Sequence, residues 1–360
     1  MIDSHTLQRL QAIGLGPLLH GGLLTQPMDD DAPFLLRVSE VQRDALRLHD
    51  GEREHAARAH PSLLHALAEA GDALAVGDWV FAGRNAHAQW WVHKRLPPAT
   101  QLARRLHDGR DKVTRVPIVA NVDTALLVMG LDADFNLRRL ERYLALVRHA
   151  GIGAVVVLTK ADLCEDPPVR LRAVQALLPA DIAALAVDAL HDDLRAPLAA
   201  WLRPGQTLVL LGSSGAGKST LTNALLGRVV QDTGATRHGD GRGRHTTTSR
   251  SLHLAEGGAC VIDTPGLRTL RLDGDDGALD AVFGDIARLA LQCRFRDCRH
   301  VHEPGCAVRD AAPPERLRNY HKLQREAARD TQSALERQRE VGVQKVRARL
   351  ARGRIAAKRG

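Results

Sequence analysis

LVLLGSSGAGKSTLTNALLG, Leu208–Gly227, decides the fold: an apolar run, a turn of small residues, then helical spacing. GSSGAGKST within it fits G-x-x-x-x-G-K-[ST] in full, at Gly212, Gly217, Lys218 and Ser219. Small residues at Gly212, Ser213, Ser214, Gly215, Ala216 and Gly217 let backbone N–H groups curl around a β-phosphate. Lys218 neutralises β/γ charge, and Ser219, followed by Thr220, offers its hydroxyl to Mg²⁺. A glycine-rich turn can match by chance, but this one leaves a buried strand and opens a helix, as a phosphate loop must.

Two further segments complete a nucleotide site. VIDTPG places Asp263 at the carboxyl end of an apolar strand, where it can hold a water on Mg²⁺, and Gly266 can turn its amide toward a γ-phosphate. VVVLTKADL, which precedes the phosphate loop, supplies Thr159, Lys160, Ala161 and Asp162. The Asp162 carboxylate can accept from both N1–H and the exocyclic amine of guanine, whereas adenine presents an acceptor at N1. The Lys160 stem can lie along the base. Thr159 stands where GTPases commonly have Asn, a change expected to weaken the bracing of the loop.

In an ordinary GTPase the base-reading segment comes last; here it comes first. A parallel sheet is assembled by spatial order, so the chain can be cut and rejoined without moving a site residue. The pattern is that of a circularly permuted GTPase domain. Its hydrolytic machinery departs from the usual one: Leu267 follows the Asp263 loop where many GTPases carry a water-orienting Gln. In GRGRHTTTSR, Thr247 is the candidate Mg²⁺ ligand, with Thr246 and Thr248 as alternatives, and His245 is the candidate for orienting water. Slow intrinsic turnover, raised by a partner, is the expected behaviour.

Around this core the chain divides into five segments. Residues 1–32 read as a loosely ordered leader. Residues 33–116 alternate as half-buried strands around the amphipathic HPSLLHALAEAG, which suggests a small OB-type β-barrel. Residues 117–283 alternate strand and helix, a doubly wound α/β P-loop domain in which PIVANVDTALLVMGL reads as one buried strand. Residues 284–330 read as a mostly helical zinc-binding domain, and 331–360 as a basic helical or disordered tail.

CRFRDCRHVHEPGCAV sets Cys293, Cys298, His300 and Cys306 in a C-x4-C-x-H-x5-C arrangement, with His302 competing for the fourth place. Three thiolates and an imidazole suit one closed, structural Zn²⁺. Cys164 and Cys260 adjoin strands and read as core residues.

Composition bounds the partners. The chain of 360 residues has a formal charge of +8, and its last thirty residues hold nine Lys/Arg against two Glu. Such a tail is either a solvated run or a contact to a polyanion, RNA being the natural one. Aromatics at 3% leave little for extensive base stacking. No apolar run approaches the roughly 20 residues of a membrane span, and the start lacks a secretory pattern. A cytoplasmic monomer with no membrane contact is expected.

The combination of VGDWV, ANVD, TKAD, GSSGAGKST, HTTT, DTPG and the cysteine cluster resembles the ribosome small-subunit-dependent GTPases of the RsgA (YjeQ) type, from about Pro33 to about Arg325. The resemblance implies an OB barrel, a permuted GTPase domain and a zinc domain. It implies GTP and GDP as substrate and product, with Mg²⁺ and one Zn²⁺. It also implies binding to rRNA of the small (30S) ribosomal subunit, a role in late maturation, and hydrolysis stimulated by that subunit. His245 would then act in hydrolysis, Thr247 would belong to the metal-binding Thr run, and His300 rather than His302 would be the zinc ligand. The leader, the helix near Leu63–Ala70 and the basic tail depart from the family pattern, and LAVDALHDD shows no clear second guanine-side loop. The other reading is a GTP-regulated RNA-binding module with little turnover of its own.

Overall fold

A computed structural model describes residues 3–16, 34–42, 45–107, 113–230, 250–264 and 276–331. The chain forms two compact units, Met1–Arg105 with Arg115–Leu270, and Leu106–Thr114 with Arg271–Gly360.

The first unit begins with a helix, α1 (Ser4–Ala12), capped by Asp3, whose side chain accepts from the Thr6 amide at 2.9 Å. Leu10, Ile13 and Leu15 are all buried. Residues 3–16 are therefore a packed element and not the loose leader expected; Leu7, Leu10 and Ile13 recur at helical spacing, and that stripe finds a core to cover. Residues 17–32 of the expected leader lie outside the described residues.

Strands β1 (Phe34–Val41), β2 (Leu46–His49), β3 (Glu54–Ala59), β4 (Trp79–Arg84) and β5 (Trp90–Arg95) follow, with helix α2 (Pro61–Glu69) between β3 and β4. The strand order is β1-β2-β3-β5-β4, and β4 pairs back onto β1, which closes a small barrel of five strands. Every pairing is antiparallel except β3 with β5. Leu36, Val38, Leu48, Val80 and Val92 fill the interior. The short helix expected in HPSLLHALAEAG is α2, with His60 as its N-cap and Pro61 in its first turn.

Strands β6 (Gln101–His107) and β7 (Val113–Ala120) form a two-stranded sheet that the sequence did not announce. PIVANVDTALLVMGL is not one strand: the chain turns at Asn121, φ +54°, between β7 and β8 (Thr124–Gly130). Asn tolerates this left-handed conformation better than most residues, and its side chain is anchored on both sides of the turn. Its amide donates to Gly77 O at 3.0 Å, and its Oδ1 accepts from the Ala99 amide at 2.9 Å.

Helix α3 (Leu137–His149), β9 (Gly153–Thr159), α4 (Pro167–Gln175), β10 (Ala183–Ala186), α5 (Arg195–Leu198), β11 (Thr207–Leu211), α6 (Lys218–Leu226), β12 (Ser251–Leu254) and β13 (Cys260–Asp263) complete the α/β part. The sheet order is β10-β9-β8-β11-β13-β12, parallel throughout except for β12. The apolar runs are buried on both faces, as parallel strands under helices must be. Cys260 is part of this core, but Cys164, expected to be buried, is only half-buried because it follows the exposed turn after β9. At its edge β12 pairs with barrel strand β1, Glu40 opposite Ser251, so barrel and nucleotide sheet form one eleven-stranded sheet.

The second unit contains helices α7 (Asp276–Val282), α8 (Gly284–Ala290), α9 (Ala307–Ala311) and α10 (Pro314–Thr331). Phe283 is its anchor: the Arg316 guanidinium lies 4.8 Å from its ring centroid and grips Asp285 with two bonds of 2.6 and 2.7 Å. Among the described residues no helix is long and apolar enough to cross a membrane.

Candidate nucleotide site and metal cluster

Every described segment of the nucleotide site lies at the carboxyl end of a parallel strand, where ligands of such sheets collect. Strand β11 ends at Leu211 and the phosphate loop follows, with Gly215 (φ +83°) and Gly217 (φ +88°) in the left-handed region that lets the backbone curl before α6 starts at Lys218. Lys218 is buried, and its ammonium donates to Gly212 O at 3.1 Å and Ser213 O at 2.7 Å. Burial pulls its pKa down, while the Asp263 charge supports the protonated form. Ser219 and Thr220 follow in the first turn of α6, both half-buried.

The segment Thr159–Asp162, expected to read guanine, joins this loop directly. Thr159, the last residue of β9, is buried, and its hydroxyl donates to Ala216 O at 2.7 Å. Thr159 therefore bonds directly to the phosphate loop from the place where GTPases commonly have Asn. Lys160 takes φ +59°, and its ammonium pairs with Asp132 at 2.7 Å. Ala161, half-buried, and Asp162, exposed, form a turn, with the Ala161 amide donating to Val187 O at 3.2 Å.

That last bond reaches into LAVDALHDD, the stretch whose sequence shows no clear second guanine-side loop. The loop after β10, Val187–Asp192, lies beside the turn at Ala161. It is folded on Asp188, which accepts from the Leu190 amide at 3.0 Å, while its own amide donates to Asp192 at 2.7 Å. His191 hydrogen-bonds to Asp188 at 2.5 Å, which raises its pKa; the Asp162 charge adds a smaller push. Closely spaced Asp residues after a short apolar strand are a turn signal that could have found this loop. The loop after β8 was missed as well: Asp132 holds Lys160, and Asp134 accepts from the Ser213 hydroxyl at 2.6 Å and from Arg139 at 2.6 Å.

Asp263 closes the far side. It is buried at the end of β13, and its Oδ1 has no hydrogen-bond partner among the described residues. Burial pushes its carboxyl up to about 6, against the opposing pull of Lys218. A buried, unpartnered carboxylate oxygen near a phosphate loop fits the outer shell of a hydrated Mg²⁺. The neighbouring Thr264 hydroxyl donates to Leu210 O at 2.6 Å and ties β13 to β11. The remaining candidates His245, Thr247, its alternatives Thr246 and Thr248, and Gly266 lie outside the described residues.

In the second unit the candidate ligand atoms of Cys293, Cys298, His300 and Cys306 all lie within 4.8 Å of one another. Cys293 Sγ is 3.9 Å from Cys306 Sγ and 3.6 Å from His300 Nδ1, and Cys306 Sγ is 3.4 Å from the same nitrogen. A tetrahedron with metal–sulfur arms of ~2.3 Å has sulfur–sulfur edges of about 3.8 Å, so the set fits Zn²⁺. His302 is exposed and stands outside the cluster. Glu303 pins the loop by accepting from the amides of Arg299, Val301 and His302 at 2.9–3.0 Å.

A P-loop sheet in which β9, the strand leading into TKAD, precedes the phosphate-loop strand β11 in the chain and yet lies with it in one parallel sheet defines a circularly permuted GTPase fold. The family model of RsgA GTPases matches residues 97–273. Proteins named small ribosomal subunit biogenesis GTPase RsgA are close in sequence. The one from Mesorhizobium japonicum is 46% identical over 265 residues, 71% of this chain and 75% of that protein. The one from Xylella fastidiosa is 48% identical over 257 residues, 70% and 73% respectively. The crystal structure of YjeQ from Thermotoga maritima aligns with a TM-score of 0.59 at 23% identity, over 82% of this chain and 98% of its own. YloQ, described as a circularly permuted GTPase, aligns with a TM-score of 0.53 at 23% identity, over 85% and 99%. The chain belongs to the RsgA family of GTPases.

Proposed function

We propose that this protein hydrolyses GTP on the small ribosomal subunit during its late maturation, in the cytoplasm, and that docking on the subunit stimulates turnover. The observation that carries the nucleotide part is the bond from Thr159 to Ala216, which fastens the base-reading turn to the phosphate cradle in spite of their inverted chain order. The ribosomal part is supported by the names of the relatives.

In this reading Asp162 accepts from guanine, and Thr159, Lys160 and Ala161 position it. The loop Gly212–Gly217 wraps the β-phosphate, Lys218 neutralises the β/γ oxygens, and Thr220 continues the cradle. Ser219 and Thr247 bind Mg²⁺, Asp263 holds one of its waters, and Gly266 faces the γ-phosphate. His245 orients the attacking water in place of the missing Gln. Zinc on Cys293, Cys298, His300 and Cys306 ties the short helices of the second unit together. The OB-type barrel and the basic tail contact rRNA, and the protein acts as a monomer.

Leu267 keeps a second reading in play, a GTP-regulated RNA-binding module with little turnover. Phosphate release measured with purified small subunits, large subunits and free rRNA separates the two. Stimulation by small subunits alone supports the proposal; turnover unchanged by all three favours the static module. His245→Ala should spare GTP affinity and lower the stimulated rate; equal loss of both would remove His245 from the mechanism.

A further inference from the structure

Arg37, on barrel strand β1, is completely buried, yet none of its hydrogen bonds goes to a carboxylate. Its guanidinium donates to Ile13 O after α1, to Gly77 O at 3.4 Å beside β4, to Asn121 O at 2.9 Å, and to the Thr207 hydroxyl at 2.9 Å. It also lies 5.5 Å from the Trp79 ring centroid. A cation removed from water without a paired anion is expensive, and such groups persist where each donor is satisfied and the geometry is specific. The surroundings are shaped to it. A side chain at Gly14 (φ +94°) would run into Arg37 and Thr207, and one at Gly77 (φ +94°) into the carbonyl of Ala120.

The acceptors belong to four separate segments of chain: Ile13 after α1, Gly77 of the barrel, Asn121 between β7 and β8, and Thr207 of the nucleotide sheet. Thr207 is the first residue of β11, the strand that runs straight into Gly212. It is gripped again by Asp123, which accepts from its amide at 2.7 Å. A five-residue strand is a rod of roughly 16 Å, so a displacement at Thr207 is carried to the phosphate loop. Strand β1 reaches the nucleotide site by a second route: Glu40 pairs with Ser251, and Ser251 pairs across β12 and β13 with Asp263.

We infer that Arg37, through Thr207, is the positioning contact that couples the barrel to the phosphate loop, so that an event on the barrel alters nucleotide handling and nucleotide alters the barrel. This rests on the proposed function for its biological use, since docking of the small subunit would be the event on the barrel. The coupling itself is reciprocal and can be read without a ribosome.

The test uses the full chain with magnesium and a non-hydrolysable GTP analogue. Hydrogen exchange is followed at the amides of Leu35–Ser39 and Ala75–Trp79, barrel segments outside the candidate nucleotide site. The parent should change protection there on binding the analogue. Thr207→Val should retain affinity for the analogue and lose that response by about fivefold or more. Thr207→Ser, which keeps the hydroxyl, should restore it, and Arg37→Lys should behave like Thr207→Val. A parent with no barrel response, or a Thr207→Val variant whose response is intact, overturns the coupling. Stimulated turnover is measured in parallel. A parent not stimulated by small subunits refutes the ribosomal reading, while the exchange data still decide the coupling.

Discussion

The Thr159 hydroxyl donates to Ala216 O across 2.7 Å, and both residues are buried. The bond fixes the distance between the turn Thr159–Asp162, proposed to read the base, and the loop Gly212–Gly217, proposed to hold the phosphates. Thr159→Val preserves the shape and removes the donor, leaving a buried carbonyl unpaired at about 1–2 kcal/mol. GTP affinity measured by fluorescence titration should fall roughly tenfold. Thr159→Ser should stay near the parent value.

Lys160 is held at 2.7 Å by Asp132, both side chains being 30% exposed, so the pair is partly screened. Asp132→Asn should loosen guanine nucleotides by only about threefold, the worth of a half-exposed ion pair. The loss should appear as faster GDP release in stopped flow, because the ammonium stem is freed while the phosphate contacts stay. A change tenfold or larger would mean that Asp132 touches the nucleotide itself.

Asp263 gives the ligand-free protein a pH signature. Its folded-state pKa of about 6 lies above the ordinary carboxylate value of 3.8, so folding favours the protonated form. The stability it contributes is full below pH 4 and is lost as pH rises through 6, on the order of 2–3 kcal/mol. Thermal melts of parent and Asp263→Asn without nucleotide should diverge across that window, the variant lacking this loss. The proposed role of Asp263 has the opposite demand, because holding a magnesium-bound water needs the carboxylate. Mg²⁺-dependent GTP affinity should therefore weaken as pH falls through 6 in the parent.

Cys298→Ser removes one of four closely grouped ligand atoms, and metal analysis should show zinc well below one equivalent, with loss of helical signal from the second unit. His302→Ala should keep the metal, since His302 lies outside the cluster. A parent protein prepared in zinc-containing medium that carries no zinc would refute the site.

The parts legible in the sequence were those written in consecutive residues: the phosphate loop, Thr159–Asp162, Asp263 and the cysteine cluster, each fixed by short spacing. The parts that were not legible depend on distant partners. Nothing local marks Asp132 and Asp134 as holders of Lys160 and Ser213, because those contacts arise when β8 and β9 pair. Leu10 and Ile13 read as a leader because the core they cover is assembled from strands far along the chain. The break at Asn121 was hidden because the flanking runs are apolar on both sides, and an apolar run cannot show where one strand ends and the next begins. Arg37, in an alternating strand, looks like a surface residue until the two sheets join.

The pairing of β1 with β12 has a bearing on how the molecule can be dissected. Cutting away the first hundred residues would strip Ser251–Leu254 of its neighbour and leave a bare row of amides and carbonyls along the rim of the nucleotide sheet. Such a fragment would be expected to stick to its own kind. The barrel thus acts as the hem of the enzyme's sheet, and trimming it would invite aggregation.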